Sequence, residues 1–125
     1  MSWVRVGTVS FFALVVSLLL ARVHPFGNAG LLAVDRKGEA LLEHSSVSPE
    51  VRAMLVNKCA DCHSTQTRLP VYDKIAARLA PFSWLIERDV VKGRKAMNLD
   101  LWDTYSADQQ ATFTAKMVQK TLHPP

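Results

Sequence analysis

Residues 6 to 21 read VGTVSFFALVVSLLLA, sixteen positions without a charge, set between Arg5 and Arg22. The run shows no polar face, so it cannot sit as an amphipathic helix on a small soluble core. It therefore leaves roughly a hundred residues of the chain to build any soluble body. Extended from Val4 to Val23, the stretch reaches the length of about 20 residues that a membrane-spanning helix needs. The stems of Arg5 and Arg22 are long enough to carry their charges to the headgroups. A cleaved signal peptide is the competing reading. Gly27 and Ala29 offer small residues for a cleavage site, but Arg22, His24, Pro25 and Phe26 lie between them and the apolar end. A retained anchor over residues 1–24 is the preferred reading, with 25–47 as a connector and 48–125 as one folded domain. Either reading places the rest of the chain outside the cytoplasm.

Past residue 30 the chain carries thirteen Lys and Arg against eleven Asp and Glu, a net charge of +2. No block of like charges and no aromatic-interleaved basic stripe occurs, so nucleic acid is not an expected partner.

The remaining patterns are helical. Ser48-Pro49-Glu50 combines a capping hydroxyl, a proline suited to the first turn and an early acid. Val51, Met54 and Leu55 follow as one apolar face. Val71, Ile75 and Leu79 recur every four residues, a second helix ended by Pro81. Ser83 to Lys92 reads as a third, with Trp84, Leu85 and Val91 for burial and Gly93 as its stop. Ser106 and Gln109 have capping-box spacing, leading into a last helix marked by Phe113, Met117 and Val118. Residues 31 to 44 fit either a short amphipathic helix or a surface wrap. No stretch alternates as a strand does. The expected fold class is all-α: a small helical domain behind one N-terminal transmembrane helix.

The chain's two cysteines lie in KCADCHSTQT, as Cys59 and Cys62, with His63 directly after. A disulfide across so small a loop removes little unfolded-state entropy. A redox-active thiol pair belongs with a strand–helix setting that is absent from the pattern. Zinc requires four ligands, and only His24, His44 and His123 remain to supplement two thiolates. Covalent haem accounts for every position. C-x-x-C-H is the attachment signature of c-type haem, with the thiols meeting two vinyl groups and the histidine meeting the iron. Attachment outside the cytoplasm agrees with the exported N-terminus.

CADCHSTQTRLPVY (59–72), IAARLAPFSWLIERDVVKGRKAMNLDLWD (75–103) and the closing LHPP resemble a known family. It is the small haem-binding domain of bacterial exported proteins, often preceded by one N-terminal membrane segment. Its members typically read C-x-x-C-H-S-x-x-T-x-W-P-W-Y-S, then A-P-x-S-W-L-x-x-D-V-x-x-G-R-x-x-x-N-x-S-x-W. Here Leu69 and Val71 replace the tryptophans around the proline, and Asp73 and Asp100 stand where serine is usual. The resemblance spans residues 48 to 125. It implies one covalent haem c and a role in electron transfer.

His63 is then the proximal ligand. For the sixth position the candidates are Met54, Met97, Met117, His44 and His123. Met54 and Met117 are expected as core. Family members often place a methionine before the terminal prolines, and His123 stands there in this chain. His63 with His123 is the preferred pair, with Met97 as the alternative. Arg68 and Arg94 are candidates to pair the haem propionates, and Tyr72 and Trp84 to wall the pocket.

The expected function is a membrane-anchored electron carrier in the bacterial inner membrane, its haem domain in the periplasm and redox proteins as its partners. No catalytic constellation is present. Two alternatives stand beside it. One is a haem-carrying subunit of a larger membrane complex, for which Gly7, Ser10, Ala13 and Ser17 would allow close helix packing. The other is a peroxidase-like enzyme with an open distal site.

Overall fold

A computed structural model describes residues 2–32 and 41–119. All regular structure among them is helical. In chain order these are α1 (Trp3–Leu20), α2 (Pro49–Lys58), α3 (Ala60–His63), α4 (Val71–Ala76) and α5 (Phe82–Ala96). A 3-10 helix (Leu99–Thr104) and α6 (Ala107–Val118) follow. The expected all-α class is the observed one.

α1 has 18 residues, none of them buried, and is apolar enough to cross a membrane. α2 begins where Ser48 and Pro49 place it, with the Ser48 hydroxyl accepting the Val51 N–H. Hydrogen bonds from its own backbone and from Ser48 hold the Glu50 carboxyl below its usual range. α6 opens on the expected capping box: the Ser106 hydroxyl accepts the Gln109 N–H, and the Gln109 side chain accepts the Ser106 N–H.

The core gathers Leu41, Leu42, Leu55, Ala60, Met97, Leu99 and Trp102. Trp102, Tyr105 and Phe113 extend it as an edge-to-face series. The Tyr105 hydroxyl accepts the Asn98 N–H at 3.0 Å, fixing the exit from α5. Leu41 and Leu42 enter this core in a turn, so the described end of the 31–44 segment packs as a wrap. Leu55 is buried on α2, whereas Val51 and Met54 are exposed, so Met54 is not the core residue expected.

α5 departs most from its sequence pattern. It runs through Gly93 to Ala96, so Gly93 is not a stop. Its buried face is Ser83, Glu87 and Val90, and Leu85 is exposed. The polar face is covered by the chain leaving α1. The Ser17 hydroxyl donates to the Ala80 carbonyl at 2.7 Å, and the Ala80 N–H returns to the Ser17 carbonyl. The Trp84 indole N–H donates to the carbonyls of Leu20 and Val23 at 3.1 and 3.0 Å. The Glu87 carboxylate lies 2.8 Å from His24 Nδ1 and accepts the Ala29 N–H at 2.8 Å. Arg94 Nη1 donates to the Ala29 carbonyl at 2.8 Å. Gly27, at φ 104°, turns this strap beside Val91. The contacts rise along both segments in the same order, so the strap and α5 run side by side. A buried carboxylate is tolerated because it is fully hydrogen-bonded. The expected connector beginning at residue 25 is thus packed onto α5, and Ser17 is committed to Ala80 within the same chain.

Gly93 is where α5 meets α3. A β-carbon built there would lie 2.5 Å from the Cys62 carbonyl oxygen and 3.3 Å from its Cβ. No side chain can yield, because the obstacle is backbone. Alanine in a helix interior ordinarily stabilises by about 1 kcal/mol over glycine. Gly93→Ala is expected to reverse that sign, destabilising the haem-loaded protein by about 1–3 kcal/mol through overpacking. Denaturant unfolding of the two proteins measures it; an alanine variant as stable as the parent would contradict the close approach.

Candidate functional site

Cys59 ends α2, and its N–H reaches the Leu55 carbonyl at 2.9 Å. The chain then turns at once into α3, in which the Cys62 and His63 N–H groups both return to the Cys59 carbonyl. Both cysteines are free thiols on this one turn. Burial raises the Cys59 thiol above its ordinary value. Burial also raises Cys62, helped by the carboxylates of Asp61 and Asp89 and opposed in part by Arg94. Both shifts run away from the lowered pKa that marks a redox-active thiolate.

His63 is buried, and its Nδ1 lies 2.9 Å from the Met97 carbonyl oxygen. A carbonyl only accepts, so Nδ1 carries the proton, and in the neutral ring the lone pair belongs to Nε2. Orientation through the second ring nitrogen is what a metal-binding imidazole needs. Among the described residues, no group of three or more His, Cys, Asp or Glu side chains is placed to hold a bare metal ion.

The residues after His63 brace the turn. The Ser64 hydroxyl donates to the Ala60 carbonyl at 2.8 Å and accepts the Gln66 N–H at 3.0 Å. Thr67 Oγ1 donates to the Asp61 carbonyl at 2.7 Å, and Asp61 Oδ1 accepts the Arg68 N–H. Asp100 Oδ2 accepts the Thr65 N–H at 2.6 Å. Arg94 Nε donates to the Ser64 carbonyl at 2.7 Å, and Nη2 to Thr67 Oγ1 at 3.1 Å. Ser64, Thr65, Gln66, Thr67 and Asp61 were not singled out from sequence as braces of the turn. The signal was present in the spacing of Ser64 and Thr67 behind the motif and in the adjacency of Gly93 and Arg94.

Several of the expected site residues have partners of their own within the chain. The Arg94 guanidinium ties the motif to the strap through Ser64, Thr67 and Ala29. The Trp84 indole N–H is bonded to the carbonyls of Leu20, at the end of α1, and Val23, just beyond it. Met97 offers its carbonyl to the Nδ1 side of His63 while its side chain lies in the core. Arg68 is exposed beside the motif, and Tyr72 is exposed on α4. His123 lies outside the described residues.

A haem bound through two thioethers and one imidazole fits this donor set. The thiols share one turn, and the imidazole is oriented with Nε2 as its acceptor nitrogen. The flanking helices add apolar surface: Val51 and Met54 on α2, and Val71 and Ile75 on α4, are all exposed.

No curated protein and no solved structure matches the chain. A family model described as a haem-binding domain matches residues 18–124. The match begins inside α1, so it takes in the strap, and it extends over His123. With most of its length under that model, and with the braced Cys59–Cys62–His63 turn at its centre, the chain belongs to the haem-binding domain family.

Proposed function

We propose that the protein is a membrane-anchored c-type cytochrome that passes single electrons on the periplasmic face of a bacterial inner membrane. The observation that carries this reading is the α3 turn, where two thiols and an Nδ1-anchored imidazole are presented together. When bound, the haem supplies a one-electron iron couple. The chain's own residues hold it: Cys59 and Cys62 by thioether bonds, and His63 through Nε2. The Met97 carbonyl keeps the His63 ring from rotating and increases its basicity. Arg68 and Arg94 are the cations to meet the haem propionates. α1 anchors the domain, and redox proteins of the membrane and periplasm are its partners.

For the sixth position we favour His123, in the TLHPP terminus. The following prolines restrict the chain there and reduce the entropy lost on ordering. Met97, whose side chain lies in the core, is the alternative.

Three outcomes test this reading. Full-length protein exported by a host with haem-attachment machinery should be coloured and heavier by one haem. Its pyridine haemochrome should report two saturated vinyl groups. Cys59→Ala/Cys62→Ala should abolish the added mass completely and lose near-UV dichroism, since short helices around so small a core depend on the cofactor's apolar body. A colourless parent protein would end the proposal. His123→Ala should turn a six-coordinate haem that binds carbon monoxide slowly into one that binds it at once; an unchanged spectrum and rate would exclude His123 as the ligand.

A further inference from the structure

The register between α1 and α5 sets the depth of a part of the domain that is not α1. Ser17 lies inside the uncharged run of residues 6 to 21, four residues before its end. At 1.5 Å per residue it is about 6 Å below Ala21 along the helix axis. Its hydroxyl and carbonyl are hydrogen-bonded to the backbone of Ala80. The turn that starts α5 therefore sits at the level of the last turn of the apolar helix. Phe82 is two residues further on, so its Cα is within about 7.6 Å of that of Ala80.

The side chains at this level suit that depth. Phe82 is 57 % exposed and Leu85 45 % exposed, although they flank a buried face. Trp84 lies between them with its indole N–H on the α1 carbonyls, an amphipathic ring at the height where membrane proteins concentrate such rings. Arg22 and Arg78 are exposed nearby and carry the charge that meets lipid phosphates. Higher on α5 the partners of the strap are polar or charged: His24 with Glu87, and Ala29 with Arg94.

We propose that the start of α5 is a second membrane contact, in which Phe82 and Leu85 enter the boundary between headgroups and acyl chains beside α1. Surface-bound helices bury their apolar side about 5–10 Å into that boundary, which matches the level set by Ser17. The occupant of this exposed apolar patch is the lipid in which α1 itself sits. The contact rests on the anchor reading of α1 and extends it, giving the domain two attachments and one orientation.

The test uses the full haem-loaded chain in liposomes of phosphatidylcholine and phosphatidylglycerol, doped with a phospholipid bearing a photoactivatable diazirine on its acyl chain. After illumination, labelled peptides are identified by mass spectrometry. Adducts are expected on α1 and on the peptide containing Phe82 and Leu85, at several times the level on the α6 peptide. That α6 peptide is a fair reference because it contains Val118, 78 % exposed. Labelling of α1 with the Phe82 peptide no higher than the α6 peptide overturns the second contact and leaves the anchor standing. An unlabelled α1 overturns both. Phe82→Asp/Leu85→Asp should return its own peptide to the α6 level while α1 stays labelled; persistent labelling there would show that lipid is not held by these two side chains.

Discussion

The close approach of α5 to the Cys62 carbonyl is the constraint on which the rest depends. Glycine at position 93 lets two backbones meet where any side chain would force them apart. With that contact made, the end of α5 falls beneath His63, and the Met97 carbonyl takes its Nδ1 proton. Arg94, the next residue, reaches back over the same turn to the Ser64 carbonyl. One crossing thus positions the imidazole, braces the thiol-bearing turn and joins both to the strap.

The strap makes the haem domain larger than its motif suggests. Glu87 would be a buried carboxylate without partners were it not met by His24 and the Ala29 N–H. Removing one partner of such a group leaves its desolvation uncompensated, a loss of about 1–3 kcal/mol or more for a charged group. Residues 24 to 30 are therefore part of the folded body, in agreement with a family match that starts at residue 18.

What could be read from sequence was local. The C-x-x-C-H turn, the Ser48–Pro49 start and the Ser106–Gln109 box each depend on residues within one or two turns of each other, and each is as the spacing implies. What local spacing could not supply was partners that lie 30 to 65 residues away. Gly93 resembled a helix stop because nothing nearby in sequence reveals a carbonyl from residue 62 against it. The partners that the fold gives Arg94, Ser64 and Ala29, and Trp84, Leu20 and Val23, were equally out of reach. The burial pattern of α5 misled for the same reason. Its inner face is Ser83, Glu87 and Val90, because what covers it is a polar strap and not another apolar helix.

On the proposed anchoring of α1, the parallel course of strap and α5 would leave no slack between lipid and a haem held on the Cys59–His63 turn. From Phe82 to Gly93 the helix advances eleven residues, or about 16 Å, and that turn rides at the far end of the strut. A carrier on a loose tether samples a hemisphere of positions; one mounted like this would travel only sideways, at nearly constant elevation. The donor and acceptor of such a carrier would have to expose their own redox centres at that same altitude, and encounters would become a search in two dimensions.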